Sequence, residues 1–365
     1  MPGKRTDLKG MPLGELEAFL ARWGKERYRA RQIFRWIYRR FAEDFSAMTD
    51  LSKGFREALS GECRVSSPPV GKTDVSGDGT EKTLFRLEDG EAVESVLIPE
   101  EDRRTLCISS QAGCALRCGF CATGAAGFRR NMTSAEIVHQ ACFAGKRLAE
   151  RGERLTNVVF MGMGEPLENP DEVARTIGIL MSPFGFGLSG KRITVSTAGV
   201  IPGMLALAEA YPVSFAVSIN APRDDLRSKV MPINRKYPLK DLVAAMKRIP
   251  LRSGRKVTAE YVLLAGGNDS PRDAGDLARL LRGSRVKVNL IPFNAHGEGE
   301  FASPSPAAAD RFREVLLSAG IQTITRERRG ADIRAACGQL RGKYPLSPRR
   351  VVPILGGTKI SGNER

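Results

Sequence analysis

Residues 105–121 read TLCISSQAGCALRCGFC. The first six, TLCISS (105–110), have the β-rich character of a buried strand. The residues after them are unlike a strand. CALRCGFC (114–121) sets three cysteines in eight residues, spaced C-x3-C-x2-C, and leads into the glycine-rich ATGAAGFRR. The same layout recurs downstream, where buried-strand candidates are NVVFMG (157–162), RITVST (192–197), SFAVSI (214–219), VTAEYVLL (257–264) and VKVNLIPF (286–293). Helical patterns lie between most of them, such as SAEIVHQACFAGKRLA behind the capping pair Thr133 and Glu136. Six such units predict an α/β fold with a parallel sheet and right-handed crossovers, as an open sheet or a partial barrel.

The polar and glycine-rich features fall at one end of this sheet. The cysteines follow the first strand and GMGEP (162–166) the second. Ser196 and Thr197 close the third strand, SIN (218–220) closes the fourth and PFNAHGEG (292–299) follows the sixth. Barrel and open-sheet enzymes build their sites at the carboxyl ends of strands, so the pattern points to an enzyme rather than a scaffold.

Upstream, residues from about 10 to 62 have helical character. In YRARQIFRWIYRRF (28–41) the apolar Ala30, Ile33, Phe34, Ile37, Tyr38 and Phe41 keep helical spacing, while Arg29, Arg31, Arg35, Arg39 and Arg40 cover the rest. A solvated face would account for those arginines, and an RNA backbone beside Trp36 would account for them equally well. SSPPVGKTDVSGDGT (66–80) has the composition of a linker or turn region. KTLFRLEDGEAVESVLIP (82–99) predicts a hairpin across Asp89-Gly90. The tail beyond about 342 is basic and rich in Pro and Gly, and mobility is expected there.

The chain has 365 residues, 42% hydrophobic and 27% charged, which suits a soluble globular enzyme. Its formal net charge of +16 favours a polyanionic partner, nucleic acid first. No membrane span or signal peptide is legible, so a cytoplasmic setting is expected, where clustered cysteines suggest metal binding or redox chemistry. Only His139 and His296 are present, which disfavours histidine-based metal sites and Ser-His-Asp catalysis.

A structural zinc site needs four ligands, usually as two CxxC-type pairs, and no fourth is in range. A bacterial ferredoxin run has different spacing and a further cysteine. Three unconnected buried cysteines are a reading that the tight spacing and glycines disfavour. Three thiolates suit a [4Fe-4S] cluster with one iron left open, and an open position is what catalysis needs.

CISSQAGCALRCGFCATG, NVVFMGMGEPLENP, FGFGLSGKRITVSTAGV, MPINRKYPL, NLIPFNAHG and RGADIRAACGQL together resemble the RlmN/Cfr family of radical S-adenosylmethionine (SAM) RNA adenine methyltransferases, over residues of about 10 to 340. The resemblance implies a partial (β/α)6 TIM-like barrel at 104–342, including the loop that carries Cys337. It also implies an N-terminal helical RNA-binding domain (1–64), a linker and β-hairpin extension (65–103) and a basic tail (343–365). Cys114, Cys118 and Cys121 match the cluster ligands. Gly164, Glu165, Ser196, Ser218, Ile219, Asn220 and Asn294 match the SAM contacts, although several relatives carry His where this chain has Asn220.

Further roles come from the same likeness. Cys337 matches the cysteine that is first methylated by one SAM. A deoxyadenosyl radical from a second SAM then takes a hydrogen from that methyl group, and the carbon radical adds to carbon 2 of the base. Glu94 matches the proton acceptor. Cys107 matches the thiol that attacks the sulfur of Cys337, releasing methylated RNA through a transient disulfide. Cys63 and Cys142 have no counterpart and are expected to be structural. The implied substrates are 23S rRNA and, for many members, adenine 37 of tRNAs, with a flavodoxin or ferredoxin as electron donor and a monomeric protein. RERRGADIRAACGQL is closer to RlmN than to Cfr, which methylates carbon 8. A non-catalytic iron–sulfur RNA-binding relative and a radical SAM enzyme with a non-RNA substrate are the rival classes.

Overall fold

The computed structural model describes residues 5–295 and 301–342, so His296, part of PFNAHGEG and the tail at 343–365 lie outside the described residues. The N-terminal region forms helices α1 (Leu13–Ala21), α2 (Arg27–Arg39) and α3 (Lys53–Glu62). Ala30, Ile33, Phe34, Ile37 and Tyr38 are buried along α2 as its 3.6-residue period requires. The helix stops before Phe41, which takes a left-handed φ of 54°.

The arginines of α2 turn out to have protein partners as well as solvent. Arg31 and Arg35 lie over the Phe184 ring. Arg39 donates to the carbonyls of Pro183 and Gly185. Arg40 stacks on Trp36. Part of the basic face therefore ties the helices to the loop after residue 181. The helical core also takes in Val138, Cys142 and Ile179 from the following region, and Cys63 and Cys142 are both buried in it.

One ten-stranded sheet organises the rest, its strands adjacent in chain order. They are β1 (Val70–Val75), β2 (Glu81–Arg86), β3 (Ala92–Pro99), β4 (Arg104–Cys107), β5 (Asn157–Phe160), β6 (Ile193–Thr197), β7 (Ser214–Ser218), β8 (Val257–Leu263), β9 (Val286–Pro292) and β10 (Thr323–Thr325). Strands β4 to β10 run parallel. Strands β1 to β3 extend the sheet antiparallel from β4. Helices α4 (Ala122–Ala126) to α11 (Pro306–Ser318) make the crossovers, and α5 (Ser134–Glu150) opens on a complete capping box between Thr133 and Glu136.

The α/β architecture and all six anticipated parallel strands are present, and the hairpin pairs Glu81–Arg86 with Ala92–Pro99. Two strands of this sheet were not anticipated. Thr323–Thr325 is three residues long with one apolar side chain, too short to show a period. Val70–Val75 lies inside the linker-like stretch as an edge strand whose Val70 and Val75 are exposed, so it lacks a buried alternation. No helix among the described residues is long and apolar enough to cross a membrane.

Candidate active site

The loop between β4 and α5 is folded tightly enough to need glycine. Gly113 has φ 76°, and a Cβ there would lie 1.8 Å from the carbonyl oxygen of Gly127. Cys114 N donates to that same carbonyl at 3.1 Å. Cys121 N donates to the Cys118 carbonyl at 3.1 Å, which turns the chain into α4. Cys114, Cys118 and Cys121, all partly buried, line one cavity of about 160 Å³.

The loop after β5 is stitched to the cysteine loop. Gly164 has φ 99°, and a Cβ there would meet Gln111 Cβ at 2.6 Å. Gln111 Oε1 accepts from Glu165 N at 2.8 Å. The Glu165 carboxylate is buried, accepting from Ala198 N at 2.7 Å and from Leu167 N at 3.2 Å. Burial pushes its pKa up to about 7.

Gly164, Glu165, Ser196, Ser218 and Asn294 line the cavity with the three cysteines. Ile219 and Asn220 are not among its lining residues. Ile219 is fully buried in the main core. Asn220 takes a left-handed φ of 55°, accepts from Val262 N at 2.7 Å and sets its amide 3.1 Å from Met231 Sδ, so its side chain braces the strand ends.

A second cavity of about 90 Å³ adjoins the first and is lined by Cys107 and Cys337. Cys337, Cys121 and Asn294 border both cavities. Burial, followed by the nearby Cys337 thiol, pushes Cys107 up to about 12, with Arg326 opposing the shift.

The segment bearing Cys337 is held on two sides. On the side of α4, Gly338 O accepts from Ala122 N at 2.8 Å and Leu340 O from Thr123 Oγ1 at 2.7 Å. On the other side the antiparallel extension grips it. Asp332 accepts from Ser76 Oγ at 2.5 Å, Asp78 from Gly330 N at 3.0 Å, and Lys82 Nζ donates to Ile333 O at 2.6 Å. Glu94 completes this clamp. Its carboxylate is buried, 3.3 Å from Lys82 Nζ. It accepts from Arg341 N at 2.8 Å and Gly342 N at 3.1 Å.

Three residues that sequence reading did not single out complete the site. Arg227 is wholly buried and donates to the carbonyls of Ala198, Ser218 and Ile219, joining the ends of β6 and β7. Glu260 accepts from Ser196 Oγ at 2.9 Å, while its other carboxylate oxygen is buried in the cavity wall without a partner. Arg326 borders the second cavity. A lone charge inside a strand is the only trace that Glu260 leaves in the sequence.

The donor set fits an iron–sulfur cluster. Burial pushes the Cys114 thiol up to about 12 and raises Cys118, where the neighbouring thiols act in the same direction. Thiols so placed ionise when a cationic group binds them.

Residues 108–281 match the model of the radical SAM superfamily, and residues 6–65 match that of the ribosomal RNA large subunit methyltransferase N-terminal domain. The fold and site thus define a radical SAM protein, a class whose cofactors are a [4Fe-4S] cluster and SAM. A dual-specificity RNA methyltransferase RlmN of Geobacter sulfurreducens is 54% identical over 92% of this chain and 92% of its own length. That of Anaeromyxobacter dehalogenans is 45% identical over 98% of each. A crystal structure of a radical SAM methyltransferase from Sphaerobacter thermophilus superposes with a TM-score of 0.89 at 47% identity, covering 93% of this chain and all of that one. The chain belongs to the RlmN family.

Proposed function

We propose that this chain is a dual-specificity RNA methyltransferase that methylates carbon 2 of adenine in ribosomal RNA and in transfer RNA. The observation that carries this reading is the position of Cys337, at the wall between the cavity of the three cysteines and the cavity of Cys107. A thiol there can take a methyl group on one side and be attacked by a second thiol on the other.

In this reading Cys114, Cys118 and Cys121 hold the cluster, which when bound supplies the electron for reductive cleavage of SAM. The segment with Gly164 and Glu165 and the side chains of Ser196, Ser218 and Asn294 bind and orient SAM. Cys337 carries the methyl group to the adenine, and Cys107 resolves the RNA–protein adduct by attacking the Cys337 sulfur. Glu94 removes the proton from carbon 2. Because its carboxylate is engaged by Lys82 and two backbone amides, the clamp at residues 341–342 must loosen before it acts. The substrate adenine must be unpaired or extruded, since carbon 2 lies on its pairing side. The helical region at 1–64 contributes RNA contacts, and a low-potential protein such as flavodoxin or ferredoxin supplies electrons.

The test is to incubate cluster-loaded protein, reductant and SAM with protein-free ribosomal RNA and with tRNA, then analyse the nucleosides by mass spectrometry. 2-Methyladenosine from both RNAs is expected. 8-Methyladenosine would reassign the carbon, and no methylated adenosine in either RNA would refute the proposal.

A further inference from the structure

Glu260 lies in the middle of β8 and is only 6% exposed, yet it stands in the wall of the three-cysteine cavity. One carboxylate oxygen accepts from Ser196 Oγ at 2.9 Å. The other is buried, and no donor among the described residues reaches it. Asn289, its register partner on β9, does not supply one and leaves its own Oδ1 buried without a partner. A buried acceptor left unmet is costly, and native interiors hold few of them.

The missing donor has a definite chemistry. A serine hydroxyl has one proton, and Ser196 donates it to Glu260. Ser196 Oγ can therefore offer the cavity only lone pairs, close to the free oxygen of Glu260. Two neighbouring acceptors are matched by two neighbouring donors, which is what a vicinal diol provides. Val262, Ile291 and Phe293 line the same cavity and offer apolar surface suited to a purine. SAM has one vicinal diol, the 2′- and 3′-hydroxyls of its ribose. A carboxylate accepting from a ribose hydroxyl is a recurrent pairing in nucleotide sites. We propose that Glu260 binds the ribose of SAM, accepting from one hydroxyl of the diol while Ser196 Oγ accepts from the other. The proposal rests on the reading in which this cavity holds SAM, and it adds Glu260 to the residues that orient it.

Affinity tests this without any turnover. Cluster-loaded protein is titrated calorimetrically with S-adenosylhomocysteine and with its 2′-deoxy and 3′-deoxy analogues. In the wild type, loss of either hydroxyl is expected to weaken binding about tenfold, because a buried acceptor is then left unmet. Glu260→Ala should weaken the parent ligand about tenfold and remove the further penalty for one of the two deoxy analogues. Glu260→Gln, which keeps the shape and one acceptor oxygen, should fall between. Equal weakening of all three ligands by Glu260→Ala is what a purely structural role predicts, and it overturns the proposal. So does a Glu260→Gln protein that weakens SAM but not S-adenosylhomocysteine, since the carboxylate would then answer to the sulfonium charge. The wild type alone keeps the proposal refutable where a variant fails to fold. Deoxy analogues bound as tightly as the parent would mean that water meets the buried oxygen, and the assignment of Glu260 falls. If the wild type binds neither SAM nor S-adenosylhomocysteine, the reading of the cavity itself fails, a result distinct from binding without a hydroxyl penalty.

Discussion

The two cavities meet at Cys337 and are held together differently. The cavity of the three cysteines is walled by successive strand-end loops, each fixed by contacts to the next: Gln111 to Glu165, Glu165 to Ala198, and Arg227 beneath β6 and β7. The thiol cavity joins Cys107 on β4 to a segment near the end of the described chain. That segment is kept in place by side chains of the antiparallel extension, namely Ser76, Asp78, Lys82 and Glu94. One cavity is integral to the sheet, whereas the other takes a wall from the segment that the clamp holds. Disturbing the first should therefore disable the whole enzyme, and disturbing the second should leave the first working.

The largest effects separate the two directly. Cys118→Ala is expected to lose bound iron and all methylation, a fall of at least about a thousandfold, read by iron content and nucleoside analysis. Cys337→Ala should be as dead toward RNA yet keep its iron and still cleave SAM reductively. Iron loss in Cys337→Ala would show that the cavities are not separable. Cys107→Ala comes next. It should form the RNA–protein adduct and stall there, cutting turnover by at least about a hundredfold while a shifted band accumulates on a denaturing gel. Full turnover without an adduct would remove Cys107 from the release step.

The same contrast decides what could be read in the sequence. The strands, the cysteine loop and GMGEP are local patterns, so TLCISS and CALRCGFC were enough to place the three-cysteine cavity at one end of a parallel sheet. Cys107 and Cys337 had no such signal. As isolated cysteines in the sequence they look inert, and the family likeness alone singled them out. The clamp was invisible, because Ser76, Asp78, Lys82 and Asp332 are ordinary surface residue types whose meaning arises only from contacts across the fold. Asn220 shows the converse. It ends a strand at the right rim, yet its positive φ turns the side chain into bracing contacts with Val262 and Met231. Arg227 was hidden in DDLRSKV, where helical spacing suggests an exposed cation, although burial is so complete that its pKa is lowered to about 10.

Arg227→Met should sharpen the contrast at intermediate size. It removes the guanidinium donor from the carbonyls of Ala198, Ser218 and Ile219, a loss of about 3 kcal/mol by urea unfolding. SAM affinity should weaken with it, whereas Cys337 alkylation should stay at the wild-type rate because no thiol-cavity contact is touched. Stability within about 0.5 kcal/mol of wild type would mean that water replaces the guanidinium there.

The smallest effect is a pH slope confined to one cavity. The Cys107 thiol, held up at about 12 by burial, is almost wholly protonated near neutrality. Its thiolate fraction therefore grows about tenfold for each pH unit gained between about 7 and 9. In the proposed release step that thiolate attacks the Cys337 sulfur, so the single-turnover rate of resolution should rise about tenfold from pH 7 to pH 8. Reductive SAM cleavage by Cys337→Ala, which does not use Cys107, should lack this slope. A flat resolution rate would mean that a neighbouring group takes the Cys107 proton during attack, and equal slopes in both assays would place the titrating group in the cofactor cavity instead.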